Sequence, residues 1–172
     1  MKILEFMGMK NIEDLKKGIK ENNKIAVEFL ELAKMLFEKS LKEDVTEIRG
    51  KDDLLNFLRA DLGFLKHEEF KVIFLNNSNK VTYQETLFVG TIDRSVVYPR
   101  TIIEKALQYN ARGVIFAHNH PSGNLTPSKK DIDLTLELQK LLDKLDIRLL
   151  DHIIISETSH YSFYENDIIE YF

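Results

Sequence analysis

Gly113-Val-Ile-Phe-Ala117 is a short apolar run that leads straight into His118-Asn-His-Pro-Ser-Gly123, and the loop so begun closes at Ser128-Lys-Lys-Asp131, ahead of a long segment of spaced apolar residues. A run of that length bounded by turn residues reads as a buried strand, and residues 131 to 145 carry the three- and four-residue apolar spacing of a helix. Pro121, Gly123 and Pro127 exclude regular structure between the two. The chain is therefore committed to strand, irregular loop and helix in succession, a unit of layered α/β folds.

On extended backbone, residues i and i+2 point to the same side, so His118 and His120 aim at one point while Asn119 faces away. Ser128-x-x-Asp131 has the spacing of a helix N-terminus and puts Asp131 in the first turn, where the loop can fold its carboxylate back onto the histidines. Each fragment alone has a plain reading, a polar turn and a helix cap. Together, within residues 118 to 131 and directly after an apolar strand, they favour a single divalent metal held by His118, His120 and Asp131. Three nitrogen and oxygen ligands with a fourth position left for water or substrate is a common arrangement of catalytic zinc.

The spacing His-x-His, seven residues, Ser, two residues, Asp resembles the JAMM signature of MPN-domain metalloproteases without departure. Gly90-Thr91-Ile92, Tyr98-Pro99-Arg100, Ala117-His-Asn-His-Pro-Ser-Gly123, Pro127-Ser128 with Asp131, and Leu150-Asp151-His152 are more specifically similar to the bacterial RadC family, its MPN-type domain covering about residues 50 to 172. The resemblance implies one Zn2+ per chain, a peptide or isopeptide bond as substrate, and a glutamate off the metal as general base. It points to Glu68, which keeps a Glu-x-Phe pattern ahead of the apolar strand at Phe70 to Leu75; Glu69 and Glu85 are the alternatives. It also implies that Ser128 stabilises the oxyanion, a role compatible with capping the helix. A protein or peptide is the implied partner. The alternative to a hydrolase is a non-catalytic MPN-type binding module or a DNA-repair-associated protein.

None of the other histidines has a partner spacing that suggests metal. His67 reads as a surface residue, His160 as part of a polar turn, and His152, inside Leu149-Leu-Asp-His-Ile-Ile-Ile155, as a ring hydrogen-bonded near the site or in the core. The chain has no cysteine, which excludes disulfides, thiolate nucleophiles and the zinc deaminases, whose fold resembles the MPN domain but whose metal needs a cysteine pair. Net charge is −4, with basic and acidic residues balanced at 13 each over residues 1 to 66 and at 11 against 15 thereafter. DNA binding receives no support from that distribution, because duplex binders displace counterions with clustered positive charge. No run reaches the roughly 20 apolar residues that span a membrane, and no signal peptide is evident, so the expected location is the cytoplasm.

The expected fold is α/β, a mixed-sheet α/β/α sandwich of the MPN/JAMM, cytidine-deaminase-like type, preceded by a short helical segment. That segment occupies residues 1 to 48, with helices over Ile12 to Ile19 and Ala26 to Leu41 and a charged linker at Lys42 to Lys51; the metal-binding domain takes residues 49 to 172. RadC relatives tend to carry a helix-hairpin-helix-like region ahead of the MPN domain, and no Gly-x-Gly hairpin occurs in residues 1 to 45, so a truncated form of it is expected. Within the domain the pattern predicts a helix at Asp52 to Leu62, a hairpin from Phe70 to Val89 turning at Asn76 to Lys80, and a strand around Ser95 to Tyr98. A helix from Pro99 to about Asn110, the metal-bearing strand, a helix from Ser128 to about Leu145 and strands at Ile147 to Ile155 and Tyr161 to Tyr164 complete it.

Overall fold

A computed structural model of the protein describes residues 11–43, 50–90 and 98–169. The chain separates into two compact units, residues 1–43 and 44–172. The first is a helical hairpin of α1 (Ile12–Lys20) and α2 (Lys24–Glu43). Asn11 caps α1 by accepting from the Asp14 N–H at 2.9 Å, and Asn22 makes the reversal at φ 58°, left-handed geometry that asparagine tolerates better than most residues.

The second unit contains α3 (Lys51–Leu62), β1 (Glu69–Leu75), β2 (Val81–Val89), α4 (Pro99–Gln108), β3 (Gly113–Asn119), α5 (Lys129–Asp143), β4 (Arg148–Ile155) and β5 (His160–Ser162). The strands form one sheet in the order β2-β1-β3-β4-β5. It is mixed: β1 is antiparallel to β2 and β3, β3 and β4 are parallel across the α5 crossover, and β5 returns antiparallel to β4. The β1–β2 turn forms because the Asn76 side chain accepts from the N–H groups of Ser78 and Lys80, while Asn79 takes φ 56°.

Strand alternation divides the core in two. Phe70, Val72, Phe74, Val114, Phe116 and Ile154 share one buried cluster with Ile102 and Ala106 of α4 and Leu138 and Leu142 of α5. Lys71, one residue out of phase in β1, faces the other way, where it pairs with Asp61 and lies 5.4 Å from the centre of the Phe57 ring, both on α3. That helix contributes Leu54, Leu55, Phe57, Leu58 and Leu62 to the second layer. Both faces of the sheet are thus covered, as the interleaved pattern predicts.

Several boundaries differ from expectation by a residue or two. Helix α4 stops at Gln108 with a turn to Asn110, and α5 stops at Asp143. The last strand is His160–Ser162; Phe163 still donates its N–H to the His152 carbonyl of β4 at 2.9 Å, and the chain turns from there. The strand expected around Ser95 to Tyr98 lies, apart from Tyr98, outside the described residues, and so do residues 44 to 49 of the expected linker. No helix among the described residues is long and apolar enough to cross a membrane.

Candidate metal centre

The carboxyl end of β3 and the amino end of α5 meet at one point. His118 closes the buried row of β3, paired with Phe70 and Ile154 in the neighbouring strands. His120 lies just past the strand but keeps its ladder, donating its N–H to the Ile155 carbonyl at 3.2 Å, so both rings stay on one face. Pro121 then starts a turn closed by the Gly123 N–H on the His120 carbonyl at 2.9 Å, with Gly123 at φ 76°, a conformation that suits a residue without Cβ. At the helix start, Ser128 Oγ accepts from the Asp131 N–H at 3.2 Å while Asp131 Oδ2 accepts from the Ser128 N–H at 2.7 Å. This reciprocal capping box turns the Asp131 carboxylate back towards the strand.

One ligand atom from each of His118, His120 and Asp131 lies within 4.8 Å of the other two, and the three can hold a metal ion. The two Nε2 atoms are 3.0 Å apart, with Asp131 Oδ1 3.7 Å from His118 Nε2 and Oδ2 3.9 Å from His120 Nε2. His118 and Asp131 are buried; His120 opens towards solvent.

The hydrogen bonds behind these rings decide what the facing nitrogens carry. His120 Nδ1 is 2.5 Å from the Asn124 carbonyl, which only accepts, so Nδ1 bears the hydrogen. Behind His118, the Thr135 hydroxyl donates to the Asp131 carbonyl at 2.5 Å and so accepts from His152 Nδ1 at 2.6 Å. His152 is left with a lone pair on Nε2, which accepts from His118 Nδ1 at 2.8 Å. Burial pushes the His118 imidazole down to about 4 and His152 well below its ordinary value, so both are neutral at neutral pH. The Asp131 charge opposes the shift of His118 without cancelling it. His118 Nε2 therefore presents its lone pair towards His120 Nε2 across 3.0 Å, with a carboxylate alongside. A divalent cation placed among these groups would meet one nitrogen from each ring and an oxygen of Asp131.

An open cavity of about 380 Å³ lies in front of these groups, with Glu68, His120, Ser128, Lys130 and Asp131 in its wall and the loop residues Ser122, Asn124 and Thr126 at its edge. The three glutamates singled out by the sequence separate here. Glu68 is on the cavity. Glu69 is held by His67 Nε2 at 2.9 Å and the Thr86 hydroxyl at 3.4 Å, and Glu85 pairs with Lys105 at 2.5 Å. His67 is half exposed, and His160 faces Arg59 and Glu165, away from the metal group.

Sequence reasoning missed Thr135, the Asn124 carbonyl and the polar side chain of Asn119, and left His152 between site and core. Thr135 had a signal: it lies one helical turn after Asp131, on the buried face of α5 that Leu138 and Leu142 share, where an unpaired hydroxyl is unfavourable. The carbonyl had none, since it belongs to the path of the loop.

Residues 48–168 match the RadC-like JAB domain. A UPF0758 protein of Fusobacterium nucleatum is 46% identical over 132 residues, covering 77% of this chain and 57% of the relative. The UPF0758 protein YkfG of Escherichia coli is 46% identical over 113 residues, 66% of this chain and 72% of the relative, and a UPF0758 protein of Clostridium botulinum is 44% identical over 117 residues, 68% and 51% respectively. The chain thus spans between about half and three-quarters of the length of these relatives. With the domain matched over most of its length and the relatives agreeing, the chain belongs to the RadC family.

Proposed function

We propose that the protein is a zinc-dependent metallohydrolase that cleaves peptide or isopeptide bonds. The observation that carries this reading is the convergence of two imidazole nitrogens, that of His118 with its lone pair turned inward, on one carboxylate beside an open cavity. A set of two nitrogens and one oxygen suits zinc and leaves a coordination position for solvent or substrate. Bound there, the metal would supply Lewis acidity and lower the pKa of water.

The chain's own groups divide the remaining work. Glu68, which lines the cavity together with His120, takes the proton of the attacking water and delivers it to the departing amine nitrogen. The Ser128 hydroxyl caps α5 as an acceptor, a role that keeps its hydrogen available to donate to the carbonyl oxygen as negative charge develops. The His118–His152–Thr135 chain holds the ligand ring in one tautomer through the cycle.

Metal analysis of protein purified without added zinc is expected to find about one zinc per chain, with loss of the ion in His120→Ala. Glu68→Gln is expected to retain zinc and to lose hydrolysis of a quenched-fluorescent peptide and isopeptide library. Zinc retained by His120→Ala would move the metal elsewhere, and undiminished turnover by Glu68→Gln would remove the glutamate from the chemistry.

A further inference from the structure

We infer that Asn119, the residue between the two histidines, is the positioning residue that sets Glu68 against the metal; the inference rests on Glu68 being the base of the proposed hydrolase. Glu68 precedes the first residue of β1, where the paired ladder begins with Glu69 opposite Val89, so the β2 side reaches its backbone only through its carbonyl. Asn119 holds the peptide groups on either side of Glu68. Its side chain leaves β3 on the face opposite His118 and His120 and is 2% exposed. Its Oδ1 accepts from the Glu69 N–H at 2.8 Å, and its Nδ2 donates to the His67 carbonyl at 2.8 Å, with the Leu65 carbonyl at 3.4 Å. The peptide groups on both sides of Glu68 are therefore held by one carboxamide, while the Glu68 carbonyl accepts from the Gly90 N–H at 2.7 Å.

An asparagine that only satisfied a stray backbone group would need a single bond at any point of the loop. Here both the acceptor and the donor of the amide are used, and they bracket the one residue of the segment that lines the cavity. Because Asn119 is joined by peptide bonds to both histidines, the segment that carries the ligands and the segment that carries the base move as one piece. Small displacements of a catalytic group reduce rates steeply, so this coupling has a direct kinetic use.

Cobalt(II), which substitutes for zinc and absorbs visible light, is the probe. The pH midpoint of its visible spectrum in the cobalt-loaded chain responds to a carboxylate held beside the ion, so Glu68→Gln is expected to move that midpoint by about one pH unit. Asn119→Asp and Asn119→Ala are expected to bind cobalt, to move the midpoint the same way, and to add nothing in the Glu68→Gln background. Hydrogen exchange on the same variants is expected to quicken at the Glu69 amide while Val72 and Phe74 keep their protection. A wild-type midpoint in both Asn119 variants, with Glu68→Gln still shifted, would overturn the inference and leave the hydrolase reading standing. Loss of cobalt from both Asn119 variants would also overturn it, making Asn119 a prop for the histidines. An unshifted midpoint in Glu68→Gln would instead take down the assignment of the base, and this inference with it.

Discussion

At the scale of single residues, the site is governed by where each imidazole hydrogen goes. His152→Ala would leave the His118 Nδ1–H without its acceptor, and zinc affinity is expected to fall about 10–100-fold, measured by competition with a chromophoric chelator. Thr135→Val, nearly the same shape without the hydroxyl, is expected to weaken binding in the same direction; unchanged affinity in both would show that the ring needs no such support. Burial also makes His118 an acid-sensitive point of the metal-free protein. Its folded pKa, about 4, lies below the ordinary 6.5 of the unfolded chain. Above pH 6.5 neither state binds the proton and the full stability is present. As pH falls from there through about 4 the unfolded chain takes the proton first, and on the order of 3 kcal/mol is lost. Denaturant unfolding at pH 7 and pH 4.5 of metal-free protein and of its His118→Asn variant would measure it, the variant showing a smaller difference that retains the share of His152. His118, His120 and Asp131 were legible in the sequence because their convergence is local, an i, i+2 pair and a helix cap. His152 was not assignable, because only the β3–β4 register brings it behind His118. The outward direction of Asn119 was legible, but its partners, some 50 residues upstream, were not.

At the scale of elements, the first turn of α5 does two jobs. Ser128→Ala removes the cap and is expected to destabilise the protein by about 1 kcal/mol. If the hydroxyl also serves the oxyanion, turnover falls by far more than the stability change accounts for; an unaltered rate would reduce Ser128 to a cap. On the opposite face, α3 is tied to β1 by Lys71 and Asp61, both nearly buried. Asp61→Ala would strand the ammonium in that layer and is expected to destabilise by about 3–5 kcal/mol in denaturant unfolding. A loss below about 1 kcal/mol would mean that the lysine reaches water. The apolar face of α3 was legible from its periodicity, but the pair was not, since the alternation of β1 marks Lys71 simply as a polar residue among buried ones. Helix ends were displaced by a residue or two where the last turn tightens, as at Leu107 to Asn110.

At the scale of the whole molecule, the layered architecture followed from strands interleaved with helices, whereas the strand order did not, because nothing local states that β1 separates β2 from β3. The three candidate ligands lie at the junction of two sheet neighbours and the crossover helix, so an ion held there would bind these parts together. Added zinc at about 100 times its Kd is expected to raise unfolding free energy by about 2.7 kcal/mol, and a chelator to remove the gain. A melting temperature indifferent to both would mean that the three ligands do not capture the ion.

The contact that orients His120 comes from the backbone of Asn124 and not from its side chain. Ser122, Asn124 and Thr126 can therefore be exchanged for other residues without rewriting the ligand, provided that the bend is kept. Exchanges along this rim would change what the cavity admits while leaving the three candidate ligands beneath it in place.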